Sequence, residues 1–118
     1  QQVGIPASGE ATLTLDNPAD FECWPQFTLS PGAWELPDGV SGELVPLADS
    51  DGASFRVDTA PGVETVRVAG REDGWRLLLG RGFRHPLPAR MGSRTVTVKG
   101  PPGGIVDVRL ERRWTTLW

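Results

Sequence analysis

Six short stretches of strict apolar/polar alternation constrain what this chain can become. In 11–16, Ala11, Leu13 and Leu15 face one way and Thr12, Thr14 and Asp16 the other. Phe27 and Leu29 oppose Gln26 and Thr28, Phe55 and Val57 oppose Arg56 and Asp58, and Val66 and Val68 oppose Thr65 and Arg67. Val96 and Val98 oppose Thr95, Thr97 and Lys99, and Val106, Val108 and Leu110 oppose Asp107, Arg109 and Glu111. A period of two gives each run one dry face and one wet face, as antiparallel sheets with a solvated side require. Turn formers separate the runs at Pro31-Gly32, Pro37-Asp38-Gly39, Asp51-Gly52 and Pro61-Gly62, each supplying a fixed φ or a permissive glycine where the chain reverses. Pro101-Pro102-Gly103-Gly104 reads as a hairpin loop between the last two strands. No stretch sustains a helical period. The weakest region is 70–94, where Trp75 to Leu79 suits either a buried strand or one helical turn and Pro86-Leu87-Pro88 must be extended. The expected fold is all-β, an antiparallel two-sheet β-sandwich, in one domain over 1–118.

The length supports one core. A chain of 118 residues buries roughly 65% of its unfolded surface without staples. The net charge of −3 gives no reason to expect nucleic acid as a partner, and no apolar run is long enough for membrane insertion as a helix. The opening residue is Gln1, not Met, so the chain is expected to be either processed or, as the favoured reading, cut from a longer protein. Charge is uneven along the sequence. Residues 1–66 hold eleven acids and one base, whereas 67–118 hold eleven bases and four acids. Strands from the two halves can pair and neutralise each other, or acidic and basic faces can dock copies head to tail.

Little suggests chemistry. Cys23 is the single cysteine and His85 the single histidine, so a Cys/His zinc site within the chain is excluded and no internal disulfide forms. Cys23 is expected to be a small buried hydrophobe. His85 lies among Arg81, Arg84 and Arg90, with no Gly-x-Ser-x-Gly elbow in the chain, and reads as a loop histidine, not a catalytic base. Asp49-Ser50-Asp51-Gly52 opens like a calcium loop but lacks the later acidic ligands, so it reads as a turn. No catalytic residue, resident metal or cofactor is expected. Five tryptophans without a tyrosine leave one binding option. Trp34 and Trp75 stand beside turn signals, where exposed indoles could stack on sugar rings or meet a protein partner, unless they plug the core.

Residues 17–32 carry a resemblance. Asn17-Pro18-Ala19-Asp20, followed by Trp24-Pro25, a strand and Gly32, resembles the signature of siphovirus distal-tail-like minor tail proteins. Phe55 to Gly62, with Asp58-Thr59 and Pro61, resembles that family's Val-Asp-Thr-x-Pro segment. Trp75 to Leu79, Pro86-Leu87-Pro88, the Thr95 to Val98 strand and Glu111-Arg112-Arg113-Trp114 follow in the family's order, the last in the manner of actinobacteriophage members. The match spans about Gly9 to Trp118 and departs from the pattern at Ala19, where glycine is usual, and at His85, where an aromatic often stands. Eleven arginines against one lysine agree with a GC-rich host. The resemblance implies a C-terminal galectin-like or jelly-roll sandwich attached to a ring-forming domain. It implies a role in the virion, at the phage tail tip, after synthesis in the bacterial cytoplasm. The implied partners are other tail proteins and copies of itself in a ring, with a host cell-surface glycan as a further ligand. The Trp24–Pro25 bond is a candidate for cis geometry.

Overall fold

The computed structural model describes residues 2–50, 52–60, 66–68, 77 and 82–110. Nine strands occur among them: β1 (Gln2–Gly4), β2 (Glu10–Asn17), β3 (Gln26–Leu29), β4 (Trp34–Pro37), β5 (Leu44–Leu47), β6 (Phe55–Asp58), β7 (Val66–Val68), β8 (Met91–Lys99) and β9 (Ile105–Arg109). All pairings are antiparallel. One sheet has the order β1-β9-β3-β6-β7 and the other β2-β8-β4-β5. With β7 set aside as an added edge strand, β1 lies beside β9, β2 beside β8, β3 beside β6 and β4 beside β5. The pairs are thus nested around the β4–β5 hairpin, and apart from that hairpin successive strands change sheet, the winding of a jelly roll.

The alternation does what its period requires. Across the five-stranded sheet, Val3, Val106, Leu29, Phe55 and Val68 line up as one inward row, and Val108, Phe27, Val57 and Val66 as the next. The outer row between them is Gln2, Asp107, Thr28, Arg56 and Arg67. In the four-stranded sheet Leu13, Leu15, Val98, Trp34, Leu36, Val45 and Leu47 are all buried. A one-residue slip in any of these strands would turn its apolar set to water, so burial locks the register. The first half of β8 departs from the pattern. Gly92 to Thr95 are exposed on both faces, because β8 meets β4 only at Glu35↔Lys99 and, among the described residues, only β2 flanks that half.

Two expectations are corrected. The 101–104 loop is not a hairpin; it carries the chain from β8 in one sheet to β9 in the other. Backbone hydrogen bonds from Gly103 to Ile5 and from Ile5 to Gly104 tie it to the end of β1 instead. Every described peptide bond is trans, including Trp24–Pro25. The alternation rule also missed three strands. β1 has only three residues, while β4 and β5 are short and each contains a proline. Pro46 is tolerated because β5 is an edge strand, where a missing N–H breaks no ladder. Of the region expected to be ambiguous, only Leu77 is described between 69 and 81; it is buried and its carbonyl accepts the Ala48 N–H at 2.8 Å. The extended reading of 86–88 holds, since Leu87 and Cys23 exchange backbone hydrogen bonds of 2.7 and 2.9 Å. No helix among the described residues is long and apolar enough to cross a membrane.

The largest fully buried side chain is Trp34. Its indole lies against Gly100 and Gly104, where an added Cβ would overlap the ring. Gly100→Ala should therefore lower stability by about 1–3 kcal/mol through overpacking. Gly92→Ala, with open space around it, should leave the urea midpoint unchanged or raised; equal effects from the two would contradict this packing.

Candidate functional site

Several of the residues that carried the family resemblance form two polar clasps. The first centres on Asn17, at the last position of β2 and wholly buried. Its Nδ2 donates to the carbonyls of Phe21 at 2.9 Å and Pro88 at 3.0 Å, with Leu87 further off at 3.4 Å. Three converging carbonyls demand donors, and the asparagine amide is a short, neutral group that carries two. Its oxygen has no partner among the described residues, the cost of using a carboxamide where only its donors are needed. Nearby, Ala19 is buried and its carbonyl accepts the Arg90 N–H at 2.9 Å, while Asp20 pairs with the Arg90 guanidinium at 3.5 Å. Pro18 is exposed. The alanine in place of glycine thus packs its methyl inside.

The second clasp joins β3 to β6. Thr59, buried, donates its hydroxyl to the Pro25 carbonyl at 2.7 Å. Asp58 accepts from the Gln26 side chain at 3.2 Å and from the Ala60 N–H at 3.0 Å, the latter closing an Asx turn. Trp24 is partly buried beside Pro25. Asn17, Asp20, Pro25, Asp58 and Thr59 therefore hold segments together, and their carbonyl partners come from residues 21–25 and 86–90, far apart in sequence. Pro61, Trp75 and Trp114 lie outside the described residues.

Trp34 is not an exposed platform. It is 1% exposed, and its indole N–H donates to the Ser30 carbonyl at 2.9 Å. A stacking ligand has no access to its faces, so Trp34 serves as the core plug that large aromatics often are. Cys23 is buried and unbridged.

The two oppositely charged halves of the chain interleave. Lys99 of β8 stands directly between Glu10 of β2 and Glu35 of β4, the favourable cross-strand arrangement. Arg56 and Arg67, both exposed, face each other on β6 and β7 and place positive charge toward that sheet's edge.

His85 is a loop histidine with one specific partner that the sequence did not announce. The carboxylate of Asp38, almost fully buried, takes the backbone N–H groups of Arg84 and His85 on Oδ1, both at 2.9 Å. Its Oδ2 meets His85 Nδ1 at 2.8 Å. A carboxylate orienting an imidazole is half of a nucleophile-activating triad, but no hydrogen bond joins this ring to a hydroxyl or thiol among the described residues. Asp38 stands in a Pro-Asp-Gly turn, a setting that signals only local structure, so nothing in the sequence pointed to a partner 47 residues away.

Compared with protein-family models, with curated proteins and with solved structures, the chain matches none.

The clasps give unequal expectations. Asn17→Asp should cost more than Asn17→Ala, because it turns acceptor oxygens toward carbonyl oxygens and buries a charge. Thr59→Val keeps the shape and should cost only about 1 kcal/mol. Urea denaturation of the three variants gives the order directly. Trp34→Ala should cost about 3–5 kcal/mol as a cavity mutation in the same assay, and a smaller loss would mean that the indole is not a core residue.

Proposed function

We propose that this chain is a structural component of a bacteriophage tail tip: the C-terminal sandwich of a distal-tail-like minor tail protein, acting through protein–protein packing in a multi-copy assembly. One observation carries the reading. The landmarks of the resemblance, Asn17-Pro18-Ala19-Asp20, Trp24-Pro25, Asp58-Thr59 and Pro86-Leu87-Pro88, are dispersed in sequence, yet most of them contact one another through the two clasps. A signature made of fold-fixing residues suits a scaffold whose job is to hold shape within an assembly. Catalysis would instead concentrate a signature on a nucleophile, a base and an oxyanion site. On this reading the partners are other tail proteins and copies of the same chain in a ring, no cofactor takes part, and the protein resides in the virion.

The glycan-binding alternative loses one of its two tryptophans with the burial of Trp34, and Trp75 alone would have to carry it.

Sequencing the DNA on either side of the coding segment tests the proposal. The expected result is a very long, helix-rich tape-measure frame upstream, further tail genes downstream, and the same frame extending upstream into a second small β-rich domain. A frame that instead runs into a glycosidase or follows a secretion signal would overturn it.

A further inference from the structure

We infer that the corner formed by the β4–β5 turn and the 82–87 loop binds a divalent d-block cation, with Zn²⁺ the natural probe, through Asp38, Glu43 and His85. Each of the three offers a ligand atom, and these atoms all lie within 4.8 Å of one another. One imidazole nitrogen with two carboxylate oxygens suits the borderline divalent metals; calcium, which takes oxygen ligands, fits it poorly. The residues are 5 and 42 positions apart in sequence, so no ligand spacing motif reveals them.

The corner is rigid before any ion arrives. The Asp38 N–H donates to the Glu43 carbonyl at 3.0 Å, closing the turn and setting the two acidic residues across its base. Ser41 seals the turn further, its hydroxyl donating to the Asp38 carbonyl at 2.7 Å. Gly39, with φ +58°, packs so tightly on the His85 carbonyl that no side chain fits between them. The 82–87 loop is thus held against the turn by backbone contact and by the two N–H groups bound to Asp38 Oδ1. That pairing commits Oδ1 and leaves Oδ2 to face the imidazole. On binding, the ion takes the place of the proton shared by Oδ2 and Nδ1, which is released to water, while Oδ1 keeps its two backbone donors and holds the carboxylate in position.

The ion can also reach the site. The His85 side chain is 49% exposed and Glu43 is exposed, so binding opens no part of the core. Glu43 is free to rotate and closes the remaining distance to bond lengths of about 2.0–2.2 Å. Two carboxylates facing one imidazole make the corner attractive to a cation. A bound ion would cross-link the β4–β5 hairpin to the 82–87 loop, and so stabilise the folded state. The inference stands whether or not the tail reading does.

The test uses tag-free, chelator-treated protein, since His85 is the single histidine and its Cε1–H resonance reports the site alone. Zinc at about 100 μM should shift or broaden that resonance, bind with a stoichiometry near one by calorimetry, and raise Tm by at least about 3 °C. Glu43→Gln, at an exposed side chain, should keep the metal-free Tm, whereas His85→Gln removes the partner of buried Asp38 Oδ2 and should lower it; both should lose zinc affinity by about tenfold or more. An unmoved His85 resonance in folded wild-type protein at about 1 mM zinc would overturn the inference. Zinc stabilisation that survives intact in both variants would overturn it equally, by placing the ion on other carboxylates.

Discussion

The amide of Asn17 ties together three segments that are distant in the sequence or separated by a turn. It ends β2 and gathers the carbonyls of Phe21, Leu87 and Pro88 at one point. That convergence sets Leu87 beside Cys23 as a two-way backbone bridge, which fixes where the 82–90 segment passes over the end of the sandwich. His85 is carried into place by the same segment and reaches Asp38 there. A buried hydrogen-bonded group is hard to replace, because removing one partner leaves the others desolvated and unpaired.

The second constraint is volume. The two sheets meet over rows of Val, Leu and Phe that alternate with polar residues, and the largest side chain fully buried there is Trp34. The indole fits only because Gly100 and Gly104 carry no side chain. Both glycines flank the crossover from β8 to β9, so one short stretch turns a corner and also makes room for the core's largest ring.

Much of the fold was legible in the sequence. Wherever a strand had four or more residues and one wet face, as at Leu13, Phe27, Phe55, Val98 and Val106, the period of two named its buried face correctly. It failed where the run was too short: β4 alternates only over Trp34, Glu35 and Leu36 before Pro37 is buried as well, and a proline after three residues gives no pattern to count. The 101–104 loop failed for a different reason. Proline and glycine mark a reversal, but whether the chain returns in the same sheet or crosses to the other depends on which strands are already neighbours. The polar site was less legible. Asn17 and Thr59 stood out only through the resemblance, and Asp38 and Glu43 stood out not at all, because a carboxylate in a turn looks the same whether it faces water or a distant loop. Trp34 misled through its position beside Pro31-Gly32, since a turn signal describes the backbone and says nothing of which way an indole points.

The nesting of the strands has a consequence for how the chain acquires its structure. β8 is flanked by β2 and β4, and β9 by β1 and β3. Both late strands are therefore interior members of their sheets. Before they emerge from a ribosome, β2 and β4 have no common neighbour, and neither do β1 and β3. Only the local hairpin β4–β5 and the β3–β6–β7 ribbon can pair earlier. A topology dominated by such distant pairings folds slowly, and during synthesis the nascent chain holds unpaired strand edges until β8 and β9 have been made. Exposed edges of this kind are where aggregation starts, so loss of β8 or β9 would leave its sheet open between the strands it joins.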